Sequence, residues 1–64
     1  MQHIHVHELI RAKAALAQAE TLIALVTAIF RGGGYASGAR RLNASLQGLH
    51  DEIALIEREI QRRS

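Results

Sequence analysis

Histidines alternate at the start of the chain: His3, His5 and His7, with Glu8 directly after them. On a strand these three imidazoles share a face; on a helix only His3 and His7 do, at i and i+4. Neutral imidazoles are ligands for zinc or copper, and Glu8 could add a fourth donor. A ligating imidazole is normally oriented by a second hydrogen bond, and no partner for one is legible nearby. Solvated histidines on an arm, ordered only by Ile4 and Val6, give the same sequence. His3, His5 and His7 are therefore the candidate metal ligands, and no cofactor is expected.

Two other clusters fall short of chemistry. His50 precedes Asp51 and Glu52, but adjacent residues on a helix do not face each other. No Ser or Cys nucleophile is placed beside them. Gly32-Gly33-Gly34 after Arg31 lacks the strand before it, and the Lys-Ser or Lys-Thr pair after it, that a phosphate-cradling loop needs. Catalysis needs groups positioned in a pocket that excludes water, and none is legible, so the protein is not expected to be an enzyme. The basic residues form two groups. Arg31, Arg40 and Arg41 lie near the glycines and are the candidate nucleic-acid contacts, since guanidinium groups meet phosphates. Arg58, Arg62 and Arg63 lie near the end of the chain, interleaved with Glu52, Glu57 and Glu59. Charges that keep an apolar protein soluble are the plainer reading of both.

A chain of 64 residues makes one domain. Below roughly 70–80 residues a single core rarely supplies more than about 3–5 kcal/mol, so small domains add disulfides, metal or oligomerisation. There is no Cys, which excludes disulfides and thiolate zinc sites and leaves oligomerisation. The composition is 48% hydrophobic, with one Phe, one Tyr, no Trp and no Pro. Ala, Leu and Ile supply the bulk, which suits closely packed helices. The net charge of +2 is well short of a nucleic-acid-binding tail. The longest apolar run, about nine residues from Leu22 to Phe30, is shorter than the roughly 20 needed to span a bilayer. No membrane span or signal peptide is expected, and the expected location is cytoplasmic.

Period defines the elements. Leu9, Ala12, Leu16, Ala19, Ile23, Val26 and Phe30 alternate threes and fours, a heptad seam that argues for a long helix at about 8–31. Large and small residues alternate along it, which lets a partner helix approach closely. A second stripe, Leu22, Leu25 and Ile29, widens the apolar face near the glycines. A helix apolar nearly all round must be covered on several sides. Gly32 to Gly34 end this helix, and the turn occupies 32–36, with Ser37 a plausible N-cap for the next one. Ala39, Leu42, Leu46, Leu49, Ile53, Ile56 and Ile60 form a second seam, on a helix at about 37–62 whose opposite face is polar. Two helices of equal length joined by a few residues make an antiparallel hairpin. The expected fold is all-α: a His-rich arm at 1–7 and one helical hairpin at 8–64, assembling into a four-helix bundle with a second copy or a partner chain.

The hairpin pattern, the Arg31-Gly32-Gly33 turn and the stretch Gly48–Ile56 resemble the YscE-like family, small helical-hairpin co-chaperones of type III secretion needle subunits. That resemblance covers about half of the chain, and the His-rich start departs from it. It implies a complex that keeps an aggregation-prone subunit soluble. In length, hairpin form and alternating layers the chain is also similar to Rop-like plasmid copy-number regulators. That likeness implies a homodimer binding RNA loops, although no matching RNA-contact residues are present to carry over. The expected function is a non-catalytic protein–protein interaction module, a small chaperone or co-chaperone, with a Rop-like RNA-binding regulator as the alternative. The expected interface is Leu9, Leu16, Leu22, Ile23, Leu25, Val26, Ile29, Phe30, Leu46, Ile53 and Leu55. The expected partner is the chain itself or another helical protein.

Overall fold

A computed structural model of the chain describes residues 4–63. It contains two helices, α1 (Val6–Gly32) and α2 (Ala36–Arg63), packed along their length. Lys13 pairs with Glu57 and His50 with Glu20, so the level of α1 that faces α2 descends as α2 climbs, and the pair is antiparallel. The rod measures 45 × 18 × 16 Å, close to the roughly 40 Å that 27 helical residues at about 1.5 Å each require.

α1 starts earlier than the sequence pattern suggests. Val6 and His7, read as part of the arm from their alternation, belong to its first turn. A lone strand has nothing to pair with, whereas the helix gains one hydrogen bond for each residue added. The Glu8 and Leu9 N–H groups both donate to the His5 carbonyl. Glu8 in that first turn suits the positive end of the helix dipole.

The turn is a Schellman closure. The Tyr35 N–H donates to the Phe30 carbonyl at 2.7 Å, and the Gly34 N–H to the Arg31 carbonyl at 3.2 Å. Gly34 has φ +81, the left-handed backbone that this closure demands and that a Cβ disfavours. The apolar contact that accompanies such a closure is here aromatic. Phe30 and Tyr35 meet edge to face with centroids 4.9 Å apart. Because Tyr35 is drawn back onto Phe30, α2 begins directly after it, at Ala36. Ser37, expected to cap α2, instead lies within its first turn. The rings leave no room for a side chain at Gly38, where a Cβ would stand 2.5 Å from Tyr35 Cε2 and 3.0 Å from Phe30 Cδ2.

Between the helices Leu16, Ala19, Ile23 and Phe30 on α1 and Leu42, Leu46, Leu49, Ile53 and Ile60 on α2 are half-buried. Only Leu9, Ala39 and Ile56 are buried apolar residues among those described. The first seam departs from expectation at one layer. Thr27, not Val26, turns inward and is 4% exposed. A straight helix drifts about 20° per heptad against a 3.5-residue repeat, so three heptads on, the inward position has moved by one residue. Thr27 tolerates this because its hydroxyl donates to the Ile23 carbonyl at 2.8 Å, leaving no buried donor unmet.

Two glycine substitutions separate the close contact from ordinary helix propensity. Gly38→Ala should lower stability by about 1–3 kcal/mol through overpacking against the rings. Gly48→Ala, with nothing within 4 Å of its Cβ, should raise it by up to about 1 kcal/mol. Thermal melts at one protein concentration check both, and equal melting temperatures for the two variants would remove the ring-contact account of the turn.

Candidate interaction surface

At the turn end, Arg41 Nη2 donates to the Tyr35 hydroxyl at 2.7 Å, and its guanidinium stands 5.7 Å from the ring centroid, within cation–π range. Arg31 and Arg40 are exposed and make no ion pair with any described residue. No acidic residue lies in the first turn of α2. The three arginines expected to meet phosphate therefore do gather at one end, but one of them is already engaged in bracing the turn.

At the opposite end two arginines are engaged by one carboxylate. Both Arg62 and Arg63 bond the Glu59 carboxylate, Arg62 through Nε at 3.2 Å and Nη2, Arg63 through Nε at 2.8 Å. Arg63 also donates to the Ile4 carbonyl, which ties the residues before α1 to the end of α2. The hydrogen bonds from Arg62 and then Arg63 hold the Glu59 carboxyl below the usual carboxylate range, and the Glu59 bond raises Arg62. Lys13 lies 3.6 Å from Glu57.

Of the candidate metal ligands, His3 lies outside the described residues. His5 precedes α1 and His7 sits two residues on in its first turn, and residues two apart on a helix point to different sides. The shared face that alternation would create on a strand does not arise for this pair. Among the described residues no three His, Cys, Asp or Glu side chains are placed to hold a metal ion.

Midway along the hairpin, His50 Nδ1 stands 2.9 Å from Glu20 Oε2. That oxygen is shielded from solvent and has no conventional hydrogen-bond donor, so the imidazole is its close partner and binds it as an ion pair when protonated. His50 thus works across the helices with Glu20, not along the chain with Asp51 and Glu52. Cross-helix pairing cannot be read from neighbours in sequence; only the antiparallel register brings residues 20 and 50 to one level.

The expected interface residues divide into two sets. Leu9, Leu16, Ile23, Phe30, Leu46 and Ile53 lie in the seam between the helices and are taken up by the hairpin. On the outer side of α1, Leu22, Leu25, Val26 and Ile29 are 62%, 57%, 38% and 60% exposed. Ala14, Ala15, Ala17, Gln18, Thr21, Ala24 and Ala28 complete that side. Between Ala14 and Phe30 the one charged residue is Glu20, which turns toward His50. Leu55 is also exposed, but its helical neighbours are Asp51, Glu52, Arg58 and Glu59, so it does not extend the apolar side. Through its most apolar 18 residues α1 meets the length and composition of a membrane-crossing helix, a test that the nine-residue run alone does not meet and that core helices of soluble proteins also pass. Shallow open depressions, one at Ile4, Glu8, Arg11 and Ala12 and one at Gln18, Thr21 and Leu22, offer no enclosed pocket.

Compared with protein-family models, curated proteins and solved structures, the chain matches none.

The open end carries a pH signature. A carboxyl held low in the folded state stabilises the fold above its unfolded pKa, and that contribution is lost as pH falls through the folded value. Wild type should therefore lose more melting temperature on acidification than Glu59→Gln, and the two should converge once Glu59 is protonated. Parallel melting curves at every pH would show that the Arg62–Glu59–Arg63 cluster does not hold the open end.

Proposed function

We propose that this protein is a non-catalytic helix-docking module, completing a four-helix bundle with other helical protein through the outer side of α1. The observation that carries this reading is the uncharged strip of Leu22, Leu25, Val26 and Ile29, more than half exposed at three of its four large residues. Contiguous apolar surface of several hundred Å² on a soluble domain marks an interaction site. A helix partner suits it because the strip is straight, one helix-face wide and bordered by alanines that let a second backbone come near. A small co-chaperone of the YscE-like kind is the specific role that this surface and the residues Arg31-Gly32-Gly33 and Gly48–Ile56 support. Such a protein shields an aggregation-prone helical subunit by lending it an apolar face.

Native mass spectrometry of the protein isolated gently from its own cells tests the docking reading. The expected species is a complex heavier than the 7.0 kDa chain, lost in a Leu22→Asp/Leu25→Asp variant that keeps its helical circular dichroism. A 7.0 kDa species from both proteins would refute it.

A second reading, the RNA-binding regulator, is favoured by one observation: Arg31 and Arg40 make no ion pair among the described residues, at an end with no acid in the first turn of α2. Phosphate contacts release counterions, so binding should fall steeply with salt. If an RNA hairpin binds, Arg31→Ala/Arg40→Ala should flatten the salt dependence by up to about two contacts' worth of slope. Salt-insensitive binding, or none at about 50 mM salt, sinks this reading.

A further inference from the structure

The outer side of α1 has a register of its own. Arg11, Ala15, Gln18, Leu22, Leu25 and Ile29 follow one another by fours and threes, and all six are exposed. They form a second heptad seam, turned roughly 130° round α1 from the one that meets α2. It is graded: small or polar in its first half, large and apolar in its second. Resting on the docking reading above, we infer that the occupant of this seam is a second copy of the chain, its α1 antiparallel and related by a two-fold axis between Gln18 and Leu22.

In that arrangement the seam pairs with itself without remainder. Leu22 meets the partner's Gln18, Leu25 meets the partner's Ala15, and Ile29 meets the stem of the partner's Arg11. Each large residue falls on a small or flexible one, so the helices approach to the usual 8–10 Å without overpacking. A parallel two-fold would set Leu on Leu and Ala on Ala, leaving alternate gaps and crowding, and would place Arg11 against the partner's Arg11. The antiparallel pair instead brings Arg11 to the C-terminal end of the partner's α1, where the helix dipole is negative. Arg31, in that same turn, leaves the helix on a different side and does not oppose it. The Gln18 side chains lie close to the axis, and a polar residue in an otherwise apolar seam fixes register.

The extent suits a small interface. Four large side chains exposed by 38–62%, with the flanking alanines, offer roughly 400–600 Å² of apolar surface on each copy, the lower end of the range that specific interfaces cover. The interface is isologous, each copy giving the same strip it receives, and it closes: no second strip of this kind remains on the described surface.

The chain contains no Cys, so introduced thiols report only the contact designed. Ala15→Cys and Leu25→Cys are both outside the seam that meets α2 and leave the hairpin intact. Each is oxidised alone and as an equal mixture at micromolar concentration. The expected result is a disulfide-linked dimer of twice 7.0 kDa in the mixture and none from either variant alone. Cross-linking of each variant with itself would mean parallel pairing, and of Leu25→Cys alone an offset antiparallel pairing. Either overturns the inference while leaving helix docking in place. Wild type that sediments as a monomer and floats with phosphatidylcholine vesicles overturns the inference and the docking reading together.

Discussion

Two helices can cover one stripe of each other and no more. The whole molecule follows from how its two helices stand against that limit. α2 is amphipathic: its apolar residues sit on the seam and its outer side is charged, Leu55 excepted. α1 is apolar on nearly every side from Ala14 to Phe30, and α2 covers one of them. The consequence is a thin core, with Leu9, Ala39 and Ile56 the buried apolar residues and no large side chain sealed completely among the described residues. The same limit that leaves the core thin leaves Leu22, Leu25 and Ile29 in water, so the shortage of cover is at once the weakness of the fold and the argument for its function.

The hairpin is held at three levels by different physics. The turn is fixed by geometry, with the left-handed Gly34 closing α1, Tyr35 folded back on Phe30 and Gly38 giving way to both rings. Arg41 braces the phenol from the next turn of α2. In the middle, Glu20 reaches His50 across the seam. At the open end, Arg63 joins Glu59 to the Ile4 carbonyl. Exposed ion pairs are worth little singly, so the turn and the seam carry the stability and the pairs serve to fix the antiparallel register.

Most of the fold is legible in the chain because both helices obey a period. Every residue of the α2 seam from Ala39 to Ile60 lies where the spacing puts it. The departures have physical causes that period alone does not contain. Thr27 replaces Val26 because helical drift outweighs side-chain polarity once the hydroxyl finds the Ile23 carbonyl. Ser37 is not a cap because the Phe30–Tyr35 contact starts α2 sooner. Val6 and His7 join α1 because alternation without a partner strand has no hydrogen bonds to gain. For the candidate surface, the second stripe of Leu22, Leu25 and Ile29 is visible in the spacing. Its separation from Leu16, Ile23 and Phe30 is not, since only the packed hairpin decides which apolar residues are already covered. The pairing of Glu20 with His50 and the crowding at Gly38 join residues distant along the chain, and no local pattern announces them.

The central claim is that the outside of α1 is covered by the same face of a second copy of the chain. Sedimentation equilibrium of the purified chain at micromolar concentration, with thermal melts over a hundredfold dilution, tests it most directly. The account predicts a mass of twice 7.0 kDa and a melting temperature that falls on dilution, since association stabilises the fold by mass action. A 7.0 kDa species with a cooperative melt independent of concentration would contradict it.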